Sequence, residues 1–186
     1  MNVYYDSLKL GTIKNKYLVL DTNVLSSCSS DVEYYKVFFE IFKANPILID
    51  PIVKLEFLRG AYKEQTYKEK NKFLTIEKFF PMADHQDIYK RMYDNAFNIA
   101  RIYSHHGRSD VPLGDILITA RFGIYKDDRL FLTEDMNDFL TLLFDRISII
   151  TFEKIRNKDK SEYLEHTQLL RFNHKKYEDC LKNLPE

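Results

Sequence analysis

The chain has 186 residues, 45% of them apolar and 30% charged, which excludes a disordered or fibrous protein and predicts one globular domain. A chain of this length buries roughly 70% of the surface that its unfolded form exposes, enough for one core without staples. The 28 basic and 28 acidic residues cancel, which excludes a globally cationic nucleic-acid clamp but leaves local patches open. The cysteines, Cys28 and Cys180, are too few and too far apart for a disulfide framework or a zinc site, so a reducing, cytoplasmic setting is expected. No apolar run approaches the roughly 18 to 20 residues that cross a bilayer, and the first residues lack the basic start and apolar run of an export signal. The 13 Tyr and 14 Phe scatter along helical-looking segments, as core aromatics do.

In chain order, Tyr17 to Leu20 is a short apolar run ended by Asp21-Thr22-Asn23, the pattern of a buried parallel strand meeting a polar turn. Val37, Phe38, Ile41 and Phe42 then stand at helical spacing within a helix expected from Val32 to Ala44. Pro46 to Ile49 predicts a second strand, and Asp50-Pro51 an N-cap followed by proline in the first turn, which places Glu56 in the second turn of the next helix. A charged helical pattern spans Glu64 to Phe80 and stops at Pro81. An amphipathic helix is expected from about Gln86 to Ser104, and another from Val111 through Ala120. Arg129 to Leu132 predicts a third strand and Ile147 to Thr151 a fourth, with a short helix between them. This alternation argues for a three-layer α/β fold with a mostly parallel central sheet and helices on both faces. The segment 153–186 has a mixed-charge helical look, with Tyr163, Leu164, Leu169, Leu170, Phe172 and Tyr177 as packing positions. The expected organisation is an N-terminal extension over 1–16, a domain over 17–152, and a helical extension over 153–186 packed on the domain or on a partner.

The carboxylates cluster at predicted strand ends. Asp21 follows the first strand and Asp135 the third, and in a parallel sheet those ends share the edge where α/β proteins build their sites. Asp115 lies in the first turn of its helix, at that same edge, and Glu56 is flanked by Val53, Leu55, Phe57 and Leu58. Singly, each acid also suits a structural role: Asp21 in an Asx-turn, Asp115 as a helix-start charge, Asp135 as a cap, Glu56 as a solvated helix residue. Together they would repel one another unless cations bound among them. Oxygen-only ligands suit Mg²⁺ or Mn²⁺, and the matching chemistry is metal-assisted phosphodiester hydrolysis.

Four stretches carry a family resemblance: Leu-Val-Leu-Asp21-Thr22-Asn23-Val24-Leu25, Val-Lys-Leu-Glu56-Phe-Leu-Arg-Gly, Pro-Leu-Gly-Asp115-Ile-Leu-Ile-Thr-Ala, and Phe-Leu-Thr133-Glu-Asp135-Met-Asn-Asp138-Phe139. In this order, over about Tyr17 to Phe152, the chain resembles the PIN (PilT N-terminus) nuclease domain. The resemblance implies a PIN-like fold, a divalent metal held by Asp21, Glu56, Asp115 and Asp135, and endonucleolytic cleavage of RNA. The fourth ligand is Asp135, Asp138 or both; the family's spacing after Thr133 favours Asp135. Many such proteins are VapC-type toxins of type II toxin-antitoxin pairs, so an antitoxin protein and a homodimer are the implied partners. Thr22, Asn23 and Thr133 match small polar positions that orient the acids by hydrogen bonds, or else simply form turns.

An acidic site needs cationic neighbours to hold RNA. The segment from Lys54 to Lys78 has seven basic and four acidic residues, and Arg59 lies three positions after Glu56. Arg101 and Arg108 flank His105-His106 on the approach to Asp115. These arginines are candidate phosphate contacts, with a solvated charged face as the alternative. A haloacid-dehalogenase-like phosphatase would need a second acid two residues after Asp21, where Asn23 stands. The remaining alternatives are a non-catalytic PIN-like module that binds RNA or protein, and an RNA-processing nuclease without an antitoxin.

Overall fold

Short polar side chains set most of the helix starts. The computed structural model describes residues 1–76, 78–82, 86–125, 129–136, 141–155 and 161–185. Strand β1 (Asn2–Tyr4) and helix α1 (Ser7–Gly11) come first, with the Asp6 carboxylate accepting from the Leu8 and Lys9 amides. Strand β2 (Tyr17–Leu20) leads into α2 (Thr22–Ser30), capped by Asp21, and α3 (Val32–Ile41), capped by Asp31 through the Glu33 and Tyr34 amides. The sequence pattern did not mark α2 as a helix. Its run of serines has weak helical propensity, and the Ser29 and Ser30 hydroxyls bond back to the Ser26 carbonyl.

Strand β3 (Ile47–Ile49) is followed by α4 (Pro51–Arg59), and here the expectation holds: Asp50 caps the Ile52 amide at 2.7 Å and Pro51 opens the helix. The helix expected through Phe80 instead ends at Leu74 as α5 (Glu64–Leu74), and Phe79–Pro81 forms strand β4, parallel to β3. A three-residue strand leaves no period in the sequence, and Pro81 is tolerated there because β4 lies at the sheet edge. Helices α6 (Gln86–His105) and α7 (Leu113–Phe122) and strand β5 (Arg129–Thr133) follow as expected. The short helix expected next falls partly on 137–140, outside the described residues.

The C-terminal part corrects the sequence reading. Strand β6 (Phe144–Ile155) and strand β7 (Glu162–Phe172) form a long antiparallel pair, and only α8 (His174–Lys182) is helical. Thr167, Gln168, Leu169 and Leu170 are all buried, because both faces of β7 are covered at this point, so the alternation that marks a half-exposed strand is missing. The sheet order is β1-β6-β7-β5-β2-β3-β4. Its β5-β2-β3-β4 half is parallel and its β1-β6-β7 half antiparallel, so the sheet is mixed rather than mostly parallel. Strands from both expected extensions thus lie within one sheet.

Helices cover both faces. Tyr34 of α3 stacks at 4.4 Å on Phe152, while Phe122 of α7 meets Phe131 at 5.2 Å and Tyr177 of α8 meets Phe172 at 5.7 Å on the other side. Between α4 and α7 the packing includes a charge. Arg121, wholly buried, places Nε 3.0 Å from Oδ2 of the equally buried Asp50. No helix of the described residues is long and apolar enough to cross a membrane.

Removing one charge of such a pair strands the other in the interior, at about 3–5 kcal/mol. Asp50→Asn keeps the helix cap but not the charge, and is expected to lower the unfolding free energy by an amount in that range. The double variant Asp50→Asn/Arg121→Met should recover most of it, as read by urea unfolding.

Candidate active site

The carboxyl ends of β2 and β5 lie side by side, Leu20 pairing with Leu132 and the Asp21 amide donating to the Leu132 carbonyl at 2.8 Å. That register puts Asp21 against Thr133. Asp21 is 5% exposed; its Oδ1 accepts from the Thr22 amide at 2.7 Å and its Oδ2 from the Thr133 hydroxyl at 2.5 Å. Thr133, wholly buried, is the hub: its oxygen also accepts from Asn23 Nδ2 at 3.3 Å and from the Asp135 amide at 3.0 Å. Asn23 Oδ1 in turn accepts from the Val24 and Glu134 amides. Thr133 and the Thr22 amide thus hydrogen-bond the Asp21 carboxylate, and Asn23 and Thr133 bond the backbone amides of Glu134 and Asp135.

Glu56 reaches the same region from α4. The Thr22 hydroxyl donates to Glu56 Oε2 at 2.7 Å, and Gly114 makes room for the other oxygen: a Cβ built there would fall 2.2 Å from Glu56 Oε1. Glu56 thus lies against the first turn of α7, beside the residue that precedes Asp115, where the helix dipole favours a carboxylate. Burial pulls the Asp21 carboxyl up from 3.8 to about 6; the Thr133 and Thr22 hydrogen bonds oppose this, and the charges of Glu56 and Asp135 add to it. Glu134 turns away, its Oε2 accepting from Ser27 and its Oε1 from Tyr34, and burial raises its carboxyl as well. Asp138 lies outside the described residues.

The basic candidates are dispersed. Arg59 is exposed at the end of α4, Arg101 donates to the Pro185 carbonyl at 2.9 Å, and Arg108 pairs with Asp110 at 3.1 Å. Gly114, Asp50, Arg121 and Gln168 were not singled out as site residues. Gly114 stands inside the quoted motif, but its need to be glycine depends on where Glu56 arrives.

The donors at this edge are all oxygens, the set a hard divalent cation takes. Among the described residues no three His, Cys, Asp or Glu side chains stand close enough to share one ion. Mg²⁺ keeps several waters and commonly takes only one or two carboxylates directly, so Asp21 with its acidic neighbours suits it in donor chemistry. Comparison with protein-family models, curated proteins and solved structures finds no match to this chain.

The raised Asp21 carboxyl has a consequence for stability. The folded state holds this proton to a higher pH than the unfolded chain, so the contribution is full below about pH 3.8 and is lost as pH rises through about 6. Asp21→Asn is expected to exceed the wild type in stability at about pH 7.5 without divalent ions, by about 1–3 kcal/mol. The gap should shrink toward about pH 4 when denaturant midpoints are compared.

Proposed function

We propose that the protein is a Mg²⁺- or Mn²⁺-dependent endoribonuclease with its centre at Asp21. The observation that carries this reading is the placement of Asp21: a buried carboxylate, fixed by hydrogen bonds at both oxygens, with Glu56 and Asp135 acting on it as like charges. Such a carboxylate is destabilised in the empty protein and stabilised by a cation, the balance expected of a metal-binding residue. The PIN-like order of Asp21, Glu56, Asp115 and Asp135 supports the same reaction, and RNA as substrate comes from that resemblance.

In this reading Asp21 with one neighbouring carboxylate would hold the ion directly, and the others of Glu56, Asp115 and Asp135 would act on it through water. When bound, a divalent cation supplies a more acidic attacking water and counter-charge for the phosphoryl oxygens. The chain's own part is positional. Thr133 and the Thr22 amide fix the Asp21 carboxylate, the Thr22 hydroxyl and the gap at Gly114 fix Glu56, and the turn from Thr133 presents Asp135. Water adds to phosphorus, the ester P–O bond breaks, and the leaving oxygen takes up a proton. Exposed Arg59, three residues after Glu56 on α4, would provide a phosphate contact.

The toxin role belongs to the same proposal but rests on the resemblance alone. Of the apolar residues of the last segment, Leu169, Leu170, Phe172 and Tyr177 are already in the core, while Leu164 is exposed. Growth arrest on expression of the wild type, absent with Asp21→Asn, is the outcome that supports a toxin; harmless expression of an active enzyme supports a processing nuclease.

The direct test is cleavage of mixed single-stranded RNA in Mg²⁺, Mn²⁺ or EDTA. Cleavage should vanish in EDTA and fall at least about 100-fold in Asp21→Asn and Glu56→Gln, since even a residue that only orients a ligand is worth up to that much. Unimpaired cleavage by Asp21→Asn would refute a centre at Asp21, and no cleavage by the wild type in either metal would favour a non-catalytic module.

Gly114→Ala separates site from scaffold. The added methyl displaces the Glu56 carboxylate, while alanine in a helix is favoured over glycine by about 0.5–1 kcal/mol. The variant should melt at or above the wild-type temperature and cleave RNA poorly.

A further inference from the structure

We infer that β7 holds the Asp135 segment from both faces of the sheet, with Gln168 as the positioning residue for Asp135; the inference rests on the metal-centre reading above. Strand β5 ends at Thr133, whose partner across the ladder is Gln168. Strand β7 continues past that point toward Glu162, paired there with β6 among the described residues, and so overhangs the turn where β5 stops. The last paired residue, Gln168, and the first overhanging one, Thr167, point to opposite faces and act on two consecutive residues of the turn, Thr167 through Tyr34. On one face, buried Gln168 donates through Nε2 to the Asp135 carbonyl. On the other, wholly buried Thr167 lies 3.0 Å from the Tyr34 hydroxyl, which donates to Glu134 Oε1 at 3.1 Å.

The remaining bonds of the turn come from the β2 side. The Glu134 amide donates to Asn23 Oδ1 at 3.1 Å and the Asp135 amide to Thr133 Oγ1 at 3.0 Å. Asp135 is therefore held at its amide and at its carbonyl, which fixes the direction of its Cα–Cβ bond through the backbone. A glutamine suits this position because its amide donates a hydrogen bond without adding charge beside several carboxylates. Gln168 touches neither RNA nor ion in this arrangement; it acts through Asp135. The segment 153–186, which reads from the sequence as a helical extension, thus reaches into the site.

The test uses the full chain with Gln168→Met, which keeps side-chain length and removes the donor, and Leu170→Val as a control in the same strand. Gln168→Asn, one methylene short of the carbonyl, serves if the Met variant does not fold. The readouts are amide hydrogen exchange at Glu134 and Asp135 and the affinity for Mn²⁺ by titration. The inference expects faster exchange at both amides and roughly 10–100-fold weaker Mn²⁺ binding in the Gln168 variant, with neither change in the control. Wild-type exchange at both amides overturns the grip by β7, and faster exchange with unchanged Mn²⁺ affinity overturns the positioning role. A wild type that binds no Mn²⁺ overturns the metal-centre reading itself and the positioning role with it, while the exchange measurement still decides whether β7 holds the turn.

Discussion

The ion pair between Asp50 and Arg121 is the contact on which the site depends. Two charges in a dry interior are a poor source of net stability but a strong source of register, because any slide that separates them loses their mutual attraction while both stay buried. Asp50 begins α4 and Arg121 lies near the end of α7, while Glu56 of α4 meets Gly114 at the start of α7. The two helices therefore run antiparallel, joined at one end by a charge pair, with the Glu56 carboxylate occupying the glycine gap at the other. A slide of either helix would carry Glu56 away from Gly114 and Thr22.

The opposite side of the site is ordered by neutral groups. The Thr133 hydroxyl donates to Asp21 and accepts from Asn23 and the Asp135 backbone, so one buried oxygen ties the ends of β2 and β5 together. These bonds offset only part of the desolvation of Asp21, whose carboxyl remains well above its usual range. A protein selected for stability alone would place a neutral residue here. Retaining a buried carboxylate among others accepts a local loss, and the reading as a cation site gives that loss a physical return.

The mixed sheet explains how the remaining elements serve this edge. The parallel half, β5-β2-β3-β4, brings helix starts and strand ends to one side. The antiparallel half cannot do that, but it can run past the end of its neighbour, and β7 does so at Thr133. An antiparallel strand crosses this edge in mid-strand, where its backbone is still fixed by β6, and can offer rigid side chains to the turn after β5. Both outer strands, β1 and β4, are three residues long, which limits pairing with other chains.

Where the decisive information is local, the sequence was enough. The run Tyr17 to Leu20 before Asp21, the Asp50-Pro51 helix start and the amphipathic period of α6 depend on neighbours a few residues apart, and the structure has them where the pattern put them. The same local logic placed Asp21, Glu56, Asp115 and Asp135 on their elements. It failed for α2, β4 and β7, whose conformations are imposed by partners distant in the chain and whose residues carry no periodic signal or a misleading one. The choice of Arg121 as the partner of Asp50, of Gly114 as the seat for Glu56, and of Gln168 as the support of Asp135 belongs to tertiary structure alone. Each is a contact across 33 to 71 residues of chain, and no spacing rule reaches that far. Propensity and capping are properties of a segment, whereas a buried charge pair, a steric gap and a strand overhang exist only once separate segments have packed.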